Sequence, residues 1–443
     1  MTATSRGDDP PKPPAGALDR NELASALEPW AGLGASIEGL TRLSGGASKQ
    51  TWAFDAVGAD GKRTELILRR NAPGRPAEPG AVENEARALR LAHAAGLPVP
   101  ELLVMSEGGR WGTPGMILRR IPGETIARKI LRDEQYQQAR DVLVRQLAQF
   151  AAGLHALKPP AGFPGPDPLA GLRAQLDGFA APPVRQRYEV FERALAWLAA
   201  HAPPPRAPVL LHGDFRLGNL IVGPEGLRAV LDWELTHLGN PAEDLGWLCV
   251  KAWRFGAPGA VAGLGSRESL LAAYREAGGA DIGPDELRWW EILGTLRWGV
   301  ICLSQAWTHL SGAHRSVELA AIGRRVSEQE WDLLLLLEPE AAAAAEARRP
   351  RPAGTASTAP SPYGRPTASE LLEAVREFLT GEVMPATSGQ VAFHARVAAN
   401  VLAVVARELE LGPPPADAPA DAGLADAVAA RLAVANPGYF GPA

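Results

Sequence analysis

Cysteine is almost missing from this chain of 443 residues; only Cys249 and Cys302 occur. Two distant thiols in apolar helical contexts support neither a disulfide framework nor a zinc site. They fit reduced, buried thiols, and a cytoplasmic location is the expectation. Surplus positive charge is also missing. Lys and Arg number 45 against 50 Asp and Glu, for a net charge of -5. Nucleic acid is therefore not an expected partner. Long apolar runs are absent too. Leu333–Leu337 is too short to span a bilayer, and the polar, Pro-rich stretch Met1–Ala17 has no apolar signal core. No membrane partner is expected, and residues 1–17 have too little to bury to be ordered. No internal repeat is evident. What is present is length, enough for two or three domains.

The most informative stretch is 210–233. An apolar run delivers His212-Gly213-Asp214 onto a loop. Asn219 follows five residues after Asp214. A short hairpin, 220–222 and 227–231 around Gly223-Pro224, then presents Asp232. Three oxygen-bearing side chains thus converge from one compact unit. Phosphoryl transfer from a nucleotide needs such a set: a carboxylate beside the acceptor hydroxyl, and an amide and a carboxylate for magnesium. A single Asp or Asn in a loop is usually a local cap. The combined spacing, followed by Asn240-Pro241-Ala242-Glu243-Asp244-Leu245-Gly246, argues against that reading here.

This stretch resembles the catalytic segment of the aminoglycoside phosphotransferase family, whose fold is similar to that of protein kinases. The resemblance implies an α+β, bilobal kinase-like fold with a small β-rich N-lobe and a mostly helical C-lobe. It makes Asp214 the catalytic base and Asn219 and Asp232 the ligands of Mg²⁺. It places Arg216 where a cation stabilises the transferring phosphoryl group. His212 would hold the loop, and Asp244 would cap the next helix or brace the loop from behind. Leu68-Arg69-Arg70, Trp233 and Ala321-Ile322-Gly323-Arg324-Arg325 resemble a branch of the family also found fused to acyl-CoA dehydrogenases.

The order of elements before this stretch agrees. A helix at 21–33 precedes strands at 36–43, 50–57 and 64–70, a helix at 78–95, and strands at 101–106 and 115–120. Leu43-Ser44-Gly45-Gly46-Ala47-Ser48 lies between two of the strands. Glycines let backbone N–H groups approach phosphate, although Gly-Gly between strands also makes ordinary hairpins. By resemblance, Gly45, Gly46 and Ser48 contact the phosphates of ATP or GTP. Family members commonly carry lysine on the 64–70 strand. Here the candidates are Arg69 and Arg70, which alternation sends to opposite faces. The family register favours Arg69, with Glu85 as its partner.

Ile121-Pro122-Gly123 separates an N-lobe of about 18–121 from a C-lobe of about 122–338. The C-lobe should hold helices at 133–157, 183–201, 242–253, 266–277, 284–310 and 317–337. In it, His155 reads as a helix-end cap. Trp289, Trp290, Trp298 and Trp307 read as core, or as a stacking surface for substrate. Glu234 faces either the site or solvent. Residues 339–362 read as a Pro/Ala-rich linker. Residues 363–443 read as an all-α module with helices at 367–379, 390–409 and 422–434, a candidate for self-association. Segment 363–412 resembles an uncharacterised domain found fused to such phosphotransferases. The expected function is magnesium-dependent transfer of the γ-phosphate of ATP or GTP to a small-molecule hydroxyl. A hydroxyacyl compound or its CoA thioester is the acceptor implied by the branch. An aminoglycoside-type antibiotic kinase and a non-catalytic nucleotide-binding module are the rivals.

Overall fold

The computed structural model describes residues 18–31, 35–43, 49–72, 80–107, 111–159, 161–165, 167–181, 187–350, 365–412 and 423–440. Segment 1–17, with its expected disorder, lies outside them, as do Gly45, Gly46 and Ser48. The chain divides into two compact units. Met1–Ala94 and Pro100–Ile121 form the first, and Ala95–Val99 and Pro122–Ala443 form the second.

The first unit contains α1 (Arg20–Ala31), β1 (Ser36–Arg42), β2 (Lys49–Val57), β3 (Arg63–Asn71), α2 (Ala81–Ala94), β4 (Leu102–Ser106) and β5 (Gly115–Arg119). The sheet order is β1-β2-β3-β5-β4, antiparallel throughout. Alternation along β3 sorts its side chains between the two faces. Leu66 and Leu68 are buried and join Leu23 and Leu27 of α1, Phe54 and Ile117 in one core. Arg69 belongs to the opposite face. Register pairs Thr51 with Arg69 and Lys49 with Asn71, so Lys49 shares that face.

The second unit is mostly helical. It contains α3 (Ala127–Arg132), α4 (Gln137–His155), α5 (Pro168–Ala180), α6 (Glu189–Ala200), β6 (Val209–Leu211), β7 (Leu220–Gly223), β8 (Gly226–Val230), β9 (His237–Gly239), α7 (Ala242–Cys249), α8 (Arg267–Glu276), α9 (Pro284–Leu310), α10 (Val317–Gly323) and α11 (Val326–Leu337). The 27-residue α9 is the spine against which α7, α10 and α11 pack. Trp289 and Trp290 on it are buried, and Trp307 is exposed. Sequence reasoning missed α5, whose start is set by Pro168 and by Asp167 accepting from the N–H groups of Leu169 and Ala170. The single helix expected over 317–337 is two. The chain tightens to i→i−3 bonds at Arg324 and Arg325, which ends α10.

The C-terminal quarter corrects the expected boundaries. The supposed linker begins as a helix, α12 (Pro339–Arg348). Its Ala run is the strongest helix-forming composition available, and Pro339 occupies the first turn, where no N–H is needed. Ala342 and Ala345 are fully buried. After it come α13 (Ala368–Phe378), α14 (Met384–Ala386), α15 (Gly389–Leu411) and α16 (Leu424–Ala435). The tail is not a module by itself, because α16 packs on α11 and α12 and α15 packs on α10. The reason lies in α11, whose Glu328, Glu330 and Asp332 are buried. Arg431 donates to Glu330 at 2.8 Å, Asn436 to Glu328 at 2.9 Å and Tyr439 to Asp332 at 2.7 Å. Buried carboxylates need such partners. Leu371, Val375 and Phe378, on which the self-association expectation rests, are exposed. Among the described residues, α15 alone is long and apolar enough to cross a membrane by length and composition. It packs instead on α10, α13 and α16.

Candidate active site

The central loop leaves β6 at Leu211 and is held from behind by one carboxylate. Asp244, in the first turn of α7, accepts from His212 N–H at 2.8 Å and Gly213 N–H at 2.9 Å. It also meets His155 Nε2 at 3.3 Å, and His155 Nδ1 meets the Tyr274 hydroxyl at 2.8 Å. Burial would raise the Asp244 carboxyl, but the His155 hydrogen bond and the backbone donors prevail and hold it below the ordinary value. His155 is therefore a buried brace of the loop rather than a helix-end cap. Gly213 has φ of +80°, and a Cβ there would lie 2.2 Å from Leu235 O. Only glycine fits where the loop crosses the segment after the hairpin.

His212 is fully buried. Its Nε2 lies 2.9 Å from Leu231 O, and its Nδ1 accepts from Asp214 N–H at 3.2 Å. These two contacts require the proton on Nε2 and a neutral ring. Burial lowers the imidazole pKa in agreement. His212 is thus a strut between loop and hairpin. Phe215 and Trp233, both buried, lock the two ends, and each packs on Phe150 and His212.

Asp214 is held by three donors. Oδ1 accepts from Arg216 Nε at 2.9 Å and from Trp247 Nε1 at 2.7 Å, and Oδ2 accepts from Asn219 Nδ2 at 2.6 Å. Arg216 lies over the Trp253 ring at 4.5 Å. The Asn219 amide nitrogen also bonds Asp214 O at 2.9 Å, which leaves its amide oxygen for a cation. Leu231 N–H donates to Asn219 O at 2.8 Å. That bond sets Asn219 beside Asp232, the next residue along. Asp232 has φ of +68° and ψ of +67°. A left-handed Asp carries local strain and marks a position where side-chain direction matters more than backbone comfort. One carboxylate and one carboxamide oxygen are hard donors suited to Mg²⁺ completed by phosphate and water. Among the described residues no cluster of three or more His, Cys, Asp or Glu side chains competes for a metal.

The segment that follows Asp232 borders a cavity of about 440 Å³ lined by Leu172, Gln175, Glu234, His237, Glu243 and Arg297, among others. Glu234 is exposed at its edge. Glu243 is paired with Arg297 at 3.1 Å and with His237 at 3.3 Å.

In the first unit, Arg69 and Glu85 meet, with Nη1–Oε1 at 3.1 Å. Glu85 is buried, and its other oxygen pairs with Lys49 Nζ. Arg70 is a structural residue. It is 1% exposed, and its guanidinium bonds Gln50 Oε1 at 2.9 and 3.1 Å and Trp111 O.

The sequence profile of the Phosphotransferase enzyme family matches residues 39–290, more than half of the chain. The chain belongs to this family. Residues 385–423 match a Domain of unknown function (DUF6285). Over 196 residues the phosphotransferase is 30% identical to acyl-CoA dehydrogenase family member 10 of Mus musculus, covering 42% of this chain and 18% of the relative. It is 31% identical over 158 residues to viomycin phosphotransferase of Streptomyces vinaceus, covering 32% and 52%. The chain thus spans a small part of the acyl-CoA dehydrogenase relative. A crystal structure of a putative aminoglycoside phosphotransferase from Ralstonia eutropha aligns with TM-score 0.55 and 20% identity over 72% of this chain and 98% of its own. The fold is the kinase-like one of these phosphotransferases.

Three contributors escaped sequence reasoning. Lys49 starts the strand after the Gly-rich segment, and its shared face with Arg69 was the available signal. Trp247 follows Asp244 by three residues, a spacing that puts both on one helix face. His155 gave no local signal, since its partners lie 89 and 119 residues away.

Proposed function

We propose that this phosphotransferase moves the γ-phosphate of ATP or GTP to a hydroxyl of a small molecule. Asp214 is the base, Arg216 the neighbouring cation, and Asn219 and Asp232 the residues that would hold Mg²⁺. Gly45, Gly46 and Ser48 contact the nucleotide phosphates, and Arg69 clamps them with Glu85 behind it. The observation that carries the reading is the set of contacts around Asp214. A carboxylate offers about four acceptor directions. Among the described residues three are filled by fixed donors, and the fourth lies on Oδ2. An acceptor hydroxyl placed there gives its proton to Oδ2 as its oxygen bonds to the γ-phosphorus and the bond from that phosphorus to the β-phosphate oxygen breaks, releasing ADP or GDP. A cation held by Asn219 and Asp232 would supply charge neutralisation at the phosphates. Fixed donors around the base avoid reorganisation during transfer.

We assign a hydroxyacyl compound or its CoA thioester as acceptor, on the similarity to the acyl-CoA dehydrogenase relative. An aminoglycoside-type antibiotic kinase is the second reading; the similarity to viomycin phosphotransferase supports an antibiotic acceptor in general. The test is phosphoryl transfer from ATP and GTP to a panel holding both classes. Transfer to hydroxyacyl compounds supports the first reading, and transfer to antibiotics alone replaces it.

A further inference from the structure

We infer that Trp247 is a positioning residue of the transfer reaction, aiming the Asp214 carboxylate through its indole N–H; this rests on Asp214 being the base. Trp247 is 3% exposed, and its Nε1 lies 2.7 Å from Asp214 Oδ1. Packing does not explain that N–H. The indole nitrogens of Trp253, Trp290, Trp298 and Trp331 are buried and have no hydrogen-bond partner among the described residues. Trp233 and Trp289 donate to backbone carbonyls. Trp247 donates to the proposed base.

The ring cannot drift, because its helix is seated by close backbone contact. A Cβ on Gly246 would lie 2.6 Å from Trp290 Cβ and 2.7 Å from its carbonyl carbon. A Cβ on Gly294 of α9 would lie 3.1 Å from the Trp247 ring. The ring packs on Trp253 at 5.4 Å, and Trp253 packs on Trp298 at 4.7 Å. Trp253 also carries the Arg216 guanidinium, whose Nε bonds the same Asp214 oxygen. Two rigid donors therefore saturate Oδ1 and turn Oδ2 toward the acceptor. One face of α7 does two jobs: Asp244 sets the loop backbone and Trp247 sets the carboxylate.

The test is Trp247→Phe, together with replacement of Trp247 by benzothienylalanine, which exchanges only the N–H for sulfur and guards against misfolding. Loss of one hydrogen bond to a charged group should lower kcat about tenfold. The KM values for nucleotide and acceptor should stay within about twofold, since neither is bound by this group. In an Asp214→Asn background the same replacements should change kcat by less than about twofold, because the two residues act as one unit. Trp331→Phe, which removes an indole N–H without a hydrogen-bond partner among the described residues, should keep wild-type kcat. Unchanged kcat in both Trp247 replacements overturns the inference. So does an equal loss in the Asp214→Asn background, or a matching loss in Trp331→Phe. Wild-type turnover in Asp214→Asn alone would instead remove the proposed base.

Discussion

Glu85 ties two strands to a helix through two cations, and its removal should be felt through the whole first unit. Its side chain is 2% exposed, while those of Lys49 and Arg69 are 10% and 15% exposed. Glu85→Gln keeps the shape and deletes the charge. Two nearly buried cations then face a neutral amide. Breaking a buried ion pair by removing one partner costs about 3–5 kcal/mol. The slight exposure of both cations places the estimate at the low end, about 3 kcal/mol. Hydrogen exchange resolves this unit separately from the helical one. Peptides from β2, β3 and α2 should exchange about a hundredfold faster by unfolding of the unit, and peptides from α9 should not change. Nucleotide affinity should fall as well, because the clamp loses the carboxylate that orients it. Acceleration of less than about threefold would refute the reasoning, since a bridge that strong could not be removed so cheaply.

Arg70→Met should destabilise the first unit by about 2 kcal/mol, through the unsatisfied Gln50 and Trp111 acceptors, and leave nucleotide KM near wild type; Arg69→Met should raise nucleotide KM, as steady-state kinetics would show. Asp244→Ala strands two buried backbone N–H groups and should cost about 4 kcal/mol in denaturation together with most of the turnover. Burial raises the Asp332 carboxyl to about 6 from 3.8, so the folded protein binds a proton that the unfolded chain releases between those values. Stability should therefore rise as pH falls from 7 toward 4, by about 3 kcal/mol from this group. Asp332→Asn should be more stable than wild type at pH 7 and should lose that rise, as denaturation at pH 7 and pH 5 would reveal.

Much of the fold was legible because its signals are local. Strand alternation separated Arg69 from Arg70, and the structure puts one on Glu85 and the other inside the sheet. His212 to Asp232 could be read as one unit because loop and hairpin are contiguous. Segment 339–348 was misread because alanine abounds throughout this chain, and an Ala-rich helix resembles a spacer until α16 covers it. The tail was taken for a separate module because the Pro/Ala-rich stretch before it reads as a linker. Its attachment rests on Arg431, Asn436 and Tyr439, which meet carboxylates of α11 about a hundred residues earlier in the chain. Trp247 has the same history. Its helix was recognised, but the partner of its N–H is fixed by the packing of α7 on α9, which no local pattern encodes.

The central claim is that Asp214 takes the proton from a small-molecule hydroxyl as the phosphoryl group moves. Its most direct test is transfer of labelled γ-phosphate to the best acceptor by wild-type and Asp214→Asn protein, with nucleotide binding measured on both. The account predicts a loss of turnover of about a hundredfold or more, with nucleotide affinity within a few-fold of wild type. Turnover near wild type in Asp214→Asn would contradict it.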